Sequence, residues 1–265
     1  MNGGRLLEHN MIPNPYRTRV ALAVALLTVC IAQSRADGPT EDLYARTLRG
    51  TALVLTPKGT GTGWVIDLEK GVLVTNEHVV TTHEQVEVIF PAYGKDGRPV
   101  AEWDDYRRHA QRFAAEVIDA DGQRDLAVIR LRERPPCGVA VVKLAEREPQ
   151  PGDRVHSIGN PDASGALWVY SAGTVRQVYR KEWRYGAGPV RAARVVETQS
   201  AINPGDSGGP VVNDAGELVA VVSGGRTDAA LMNWCIAAAE VKERELKAQR
   251  EARRAEGGRR WRISR

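Results

Sequence analysis

Three residues spread along the chain have the types that acyl transfer at a peptide carbonyl requires. Ser207 sits in Asn203-Pro-Gly-Asp-Ser-Gly-Gly-Pro210, His78 in Val74-Thr-Asn-Glu-His-Val-Val80, and Asp125 in Arg124-Asp-Leu-Ala-Val-Ile129. A serine hydroxyl is a poor nucleophile until a base takes its proton, and the oxyanion formed by its attack needs donors already aimed at it. A neutral imidazole accepts that proton and later delivers it to the leaving amine, while a buried carboxylate fixes the tautomer and steadies the imidazolium. The order His, Asp, Ser along a chain is one of the known solutions to this geometry. Taken singly, each residue has a plainer reading: an incidental serine in a Gly-rich hairpin, a structural histidine after a strand, a turn aspartate. Their joint occurrence points to His78 as general base, Asp125 as its orienting partner and Ser207 as nucleophile.

The glycines around Ser207 supply the second requirement. Gly205 adopts backbone angles closed to other residues, so its N–H and that of Ser207 are expected to point at one spot as an oxyanion hole, while Gly208 and Gly209 leave room for substrate.

These residues need a scaffold that brings distant segments together. Of the 265 residues, 42% are hydrophobic and 26% charged, which excludes disordered, collagenous and polytopic membrane chains. After Ala36 the sequence runs in short β-type stretches bounded by Gly, Pro, Asp or Lys, from Thr51-Ala-Leu-Val-Leu-Thr through Leu126-Ala-Val-Ile-Arg-Leu131. A second set follows: Arg154 to Ile158, Trp168 to Ser171, Gly173 to Tyr179, Arg194 to Gln199, Pro210 to Val212, Leu218 to Ser223 and Trp234 to Ala237. No crossover helix lies between them, so an all-β fold of antiparallel barrels is expected. The polar segment Tyr93 to Arg112 reads as an insertion with room for a short helix, and the Pro-rich stretch Arg132 to Pro151 as a linker. The expected domains are a signal peptide over 1–36, a first barrel over 37–140 with the insertion 93–112, a second barrel over 141–237, and a C-terminal helix with a basic tail over 238–265.

Arg17 and Arg19, the apolar run Val20 to Ala32 and the small residues of Ser34-Arg35-Ala36 have the form of an export signal cleaved after Ala36. If it is not cleaved, the run anchors the protein to the membrane. The exported compartment is periplasmic or extracellular. Cys137 and Cys235 then remain; such a compartment permits a bond between them, but two buried unpaired thiols are the plainer expectation.

The formal charge of +4 is a property of the tail. Glu240 to Arg265 holds ten Lys and Arg against five Asp and Glu, which leaves 27 against 28 in all the rest. The body is therefore not marked as a nucleic-acid binder, and weak contact of the 240–265 tail with anionic surfaces is as far as its charge points.

In order, Gly61-Thr-Gly-Trp-Val-Ile66, the His78 and Asp125 segments, Gly152-Asp-Arg-Val-His-Ser-Ile-Gly-Asn-Pro161 and Gln199-Ser-Ala-Ile-Asn-Pro-Gly-Asp-Ser-Gly-Gly-Pro-Val-Val-Asn213 resemble the protease domain of the HtrA/Deg trypsin-like serine peptidases. The resemblance covers about residues 50 to 245. It implies two six-stranded barrels with the active site between them, and an endopeptidase that needs no cofactor or metal and acts on unfolded or extended polypeptides. It further implies that Ser223, with Gly224, pairs with substrate backbone beside the specificity pocket, whose floor falls at Ala201 and Ile202. With no acid there, cleavage after small or medium apolar residues is expected, and Ile202 either shortens the pocket or points into the barrel. Departures from the family are the lack of a PDZ domain, Asp206 where Asn is more common, and few N-terminal aromatics of the kind that support trimers. The alternative is a catalytically silent chaperone or adaptor that binds peptides in the same cleft.

Overall fold

The computed structural model describes residues 39–225 and 232–242. The chain divides into Met1–Asp42 and Leu43–Arg265; of the first unit only the opening turn of helix α1 (Pro39–Leu48) is described. The export signal and most of the basic tail lie outside the described residues.

Twelve strands form two closed antiparallel barrels, as expected. The first comprises β1 (Thr51–Thr56), β2 (Gly59–Asp67), β3 (Val72–Thr75), β4 (Gln85–Ile89), β5 (Phe113–Asp121) and β6 (Leu126–Leu131). The second comprises β7 (Arg154–Gly159), β8 (Val169–Trp183), β9 (Arg191–Thr198), β10 (Pro210–Val212), β11 (Leu218–Gly225) and β12 (Asn233–Ala237). The first ring shuts where β1 meets β4, and the second where Val211 and Val212 of β10 meet Ser157 and His156 of β7.

The period-two alternation of a strand gives each barrel two apolar faces. On β2, Val65 enters the first barrel with Val54, Leu73 and Ile129, while its neighbour Trp64 faces outward. On β12, Cys235 and Ala237 line the second barrel, and Trp234 and Ile236 face outward. The outward residues share one cluster: Trp64, Val74 and Leu126 from the first barrel pack with Val195, Val212, Leu218, Val221 and Ile236 from the second. The linker packs along this seam rather than hanging free, with Val142 buried and its N–H on the Val65 carbonyl at 3.0 Å.

Two departures from the sequence reading concern the β8–β9 ribbon. The runs Trp168 to Ser171 and Gly173 to Tyr179 are one fifteen-residue strand. Gly173 does not break it; a Cβ there would lie 2.6 Å from Ser200 Oγ, so the glycine marks a close approach of two backbones. Strand β9 begins at Arg191, three residues before the expected Arg194, because Arg191 pairs with Trp183 and is itself buried. The ribbon therefore reaches past its own barrel, and its tip donates Ala192 N–H to the Gln123 carbonyl of the first barrel at 2.8 Å.

The insertion holds the short helix α3 (Trp103–His109), following α2 (Glu77–Val80). The Tyr106 hydroxyl pins α3, donating to the Val100 carbonyl at 3.0 Å and accepting from Ala92 N–H and Trp168 Nε1 at 2.8 and 2.9 Å. After β12 the chain enters a helix at Ala238, described as far as Lys242. Both Cys137 and Cys235 are free thiols; Cys235 is buried as expected, but Cys137 is exposed, in a stretch of the linker where Arg134 and Gly138 are exposed as well. Burial pushes the Cys235 thiol up to about 12, so it packs as an inert apolar group.

Leu218 is fully buried in the cluster shared by the two barrels. Leu218→Ala is expected to lower unfolding free energy by about 3 kcal/mol in urea titration, whereas Ile118→Ala, at an exposed strand position, shifts it by less than about 0.5 kcal/mol.

Candidate active site

Asp125 is the most enclosed charge in the site. It lies in the tight turn between β5 and β6 with φ of +59°, a left-handed conformation that Asp tolerates better than most side chains. Its carboxylate has no exposed surface. It accepts the His78 backbone N–H at 3.1 Å and lies 2.9 Å from His78 Nδ1 through both oxygens. With that nitrogen protonated, Nε2 of a neutral ring is left as the acceptor. His78 rides on α2, just after β3, and Asn76 ties the two segments by donating Nδ2–H to the Asp125 carbonyl at 2.8 Å.

The second barrel completes the ring of donors. Ser223 Oγ donates to Asp125 Oδ2 at 2.7 Å, and Arg191 Nη1 to Oδ1 at 3.0 Å. The Tyr185 hydroxyl lies 3.3 Å from Oδ2, 2.9 Å from Ser223 Oγ and 3.1 Å from the Ser223 carbonyl. Burial, with the Asp125 charge adding to it, raises the Tyr185 phenol far above its ordinary value, so it stays a donor.

Ser207 stands across the seam in a turn that only glycine can shape. Gly205 has φ of +98° and Gly208 +86°. A Cβ at Gly205 would fall 2.3 Å from the Asn160 carbonyl, and one at Gly208 2.1 Å from the Thr62 carbonyl. Thr62 staples this turn to β2: its N–H donates to the Ser207 carbonyl and its hydroxyl to the Gly205 carbonyl, both at 2.8 Å. Asp206 N–H is taken by the Asn203 carbonyl, while the N–H groups of Gly205 and Ser207 meet no acceptor among the described residues. The Ser207 hydroxyl donates to the Ser223 carbonyl at 3.3 Å; no hydrogen bond joins it to His78.

The residues read from sequence as substrate contacts divide. Ser223 and Gly224 adjoin Asp125 and Tyr185, and Gly224 approaches so closely that a Cβ would lie 3.0 Å from the Trp234 ring. Ala201 is exposed, whereas Ile202 is half-buried and packs against the core of the second barrel. Sequence reasoning missed Tyr185, Arg191, Glu77 and Asn233. Asn233 is buried, donates Nδ2–H to the Ser200 carbonyl at 2.6 Å and sets its other end against Gly225. A charge at an inward position of an alternating strand was the available signal for Arg191; nothing local marked the others.

The chain has counterparts among known proteins. The family described as a trypsin-like peptidase domain matches residues 61–221, and the chain belongs to that family. It is 32% identical over 162 residues to the periplasmic serine endoprotease DegP of Salmonella typhimurium, a match covering 61% of this chain and 29% of DegP. It is 29% identical over 194 residues to the serine endoprotease DegS of the same species, covering 72% of this chain and 47% of DegS. In fold it is similar to the active form of the Rv3671c protease from M. tuberculosis, with a TM-score of 0.60 and 25% identity over 76% of this chain and 81% of that one. The chain thus spans less than half the length of these two endoproteases.

Asp206 has no cationic partner among the described residues; its carboxylate accepts the Asn203 N–H at 2.8 Å and presses on Gly159. Burial raises its pKa from the ordinary 3.8 to about 6. Because the folded value is the higher one, the folded state gains from protonation: stability falls as pH rises from about 4 through about 6, and the cost is complete above that. Asp206→Asn is accordingly expected to raise the unfolding free energy by about 2 kcal/mol at pH 7.5 and by little at pH 3.5, read from urea midpoints at the two pH values.

Proposed function

We propose that this chain is a serine endopeptidase in which Ser207 attacks the scissile carbonyl, His78 takes and returns the proton, and Asp125 holds the imidazole. The observation that carries this reading is the buried Asp125 carboxylate, 2.9 Å from His78 Nδ1 and 2.7 Å from Ser223 Oγ, with Ser207 in its glycine-shaped turn hydrogen-bonded to the carbonyl of that same Ser223. Attack forms the C–O bond of a tetrahedral intermediate while the serine proton passes to Nε2. Collapse breaks the C–N bond as that proton moves to the leaving amine, and water repeats the sequence on the ester. The unengaged N–H groups of Gly205 and Ser207 serve the oxyanion.

Ser207 Oγ must leave the Ser223 carbonyl to reach the imidazole. The same carbonyl is the acceptor that an added substrate strand would use along β11, so an extended polypeptide entering by strand addition competes for it and frees the hydroxyl. Neutral Ala201, Gly224, Gly225 and Asn233 give a Lys or Arg side chain nothing to pair with, and burying it unpaired costs several kcal/mol. Cleavage after small or medium apolar residues follows. The form of the N-terminal segment and the periplasmic relative support export to the periplasm or beyond. No described helix is long and apolar enough to cross a membrane.

A fluorophosphonate probe is expected to label the protein but not Ser207→Ala; a wild type that resists labelling under every condition would be the silent peptide binder instead. Asp125→Asn is expected to fold and to lose roughly 10⁴ in turnover of a peptide substrate, since its amide holds the wrong imidazole tautomer. Cleavage of casein read by mass spectrometry is expected to show Val, Ala, Leu or Ile before the cut, and a dominant Lys or Arg preference refutes the pocket assignment.

A further inference from the structure

The tip of the β8–β9 ribbon brings a cation into the His–Asp pair. Arg191, with its side chain only 7% exposed, places Nη1 3.0 Å from Asp125 Oδ1 and 3.0 Å from the Gly122 carbonyl, and Nη2 2.8 Å from Glu77 Oε2. One guanidinium thus joins the carboxylate that faces His78 to the acid immediately before His78 in sequence. Its other face covers the Tyr185 ring, 5.2 Å from the centroid, and that ring in turn lies 5.0 Å from the imidazole. Triad chemistry needs no such cation. An imidazolium must form as Ser207 attacks, and a positive charge on its carboxylate opposes that, whereas Glu77 offsets the opposition.

We propose that Arg191 is a positioning residue for the triad, which fixes the Asp125 turn from the opposite barrel and, balanced by Glu77, sets the pH range over which His78 acts as base. The proposal rests on the peptidase reading of the same site. The planar fork suits the role: it reaches two carboxylates and a carbonyl at once in a fixed plane, which a lysine ammonium does not. Among the described residues, the charged and titratable groups around His78 come from three elements. Glu77 comes from its own helix, Asp125 from the β5–β6 turn, and Tyr185 and Arg191 from the ribbon. Asp121 and Arg124 of that turn are engaged with each other, and Arg124 also with Glu240. Removing the Arg191 charge leaves the Asp125 and Glu77 carboxylates without their shared cation and favours imidazolium; removing the Glu77 charge leaves the guanidinium balanced by Asp125 alone and disfavours it.

The test measures kcat/KM against pH alongside NMR titration of the His78 imidazole, which needs no turnover. Arg191→Met is expected to move the acid limb and the imidazole midpoint up by about one pH unit, and Glu77→Gln to move both down by a similar amount. Arg191→Lys is expected to hold both near the wild-type position while kcat falls roughly tenfold, with the fork lost and the charge kept. If Arg191→Met does not fold, the other two variants carry the test, because each keeps a cation on Asp125. Loss of kcat with unmoved midpoints in Arg191→Met, or an unmoved midpoint in Glu77→Gln, overturns the proposal. The NMR titration reads it even in a protein that no fluorophosphonate labels, so failure of the peptidase reading is seen separately.

Discussion

The site depends on one buried negative charge. The Asp125 carboxylate has no exposed surface, and an ion so placed is tolerable only if donors surround it. No single segment supplies enough of them. His78 gives two from the first barrel; Ser223, Tyr185 and Arg191 give the rest from the second. Docking of the barrels and solvation of this charge are therefore the same event, and a chain with separated barrels would leave the carboxylate to water and the imidazole without its orientation.

The apolar seam makes that docking firm. Trp64, Val74 and Leu126 meet Leu218, Val221 and Ile236, and two of these lie next to site residues: Val74 precedes Thr75 and Asn76, and Leu126 follows Asp125 directly. Strand alternation thus sends one side chain into the seam and its neighbour into the site. The hydrophobic contact sets distances that hydrogen bonds alone would leave soft. Thr62 holds the facing segment by other means: two residues from Trp64, on the same face of β2, it gives its N–H and its hydroxyl to the Ser207 turn.

The resting arrangement also assigns two tasks to one acceptor. The Ser223 carbonyl takes the Ser207 hydroxyl and lies beside the Tyr185 hydroxyl, while Ser223 Oγ feeds Asp125. In the proposed peptidase, an extended chain adding to β11 would draw on that carbonyl, so substrate entry and release of the nucleophile would be linked through a single oxygen. Asp206, in the same turn as Ser207, is buried without a cation and is held by one backbone donor. Its burden at neutral pH is a local cost borne by the segment that carries the reacting group.

By itself the sequence determined the class of fold and the triad candidates. Short β-branched runs without crossover helices admit little but antiparallel barrels, and glycines flanking a serine, with a histidine ending one strand and an aspartate opening another, have few other readings. Strand lengths were less legible: Gly173 looks like a break but marks a backbone contact with Ser200, and whether a glycine ends a strand depends on what lies across from it. The tertiary structure alone decided the surroundings of Asp125. Arg191 and Tyr185 are 66 and 60 residues away in the chain and reach it only because β8 and β9 extend beyond their barrel. Residue type and local spacing fix what a segment does along its own length, but which charge meets which donor is set by the packing of two barrels, and local sequence carries no record of that.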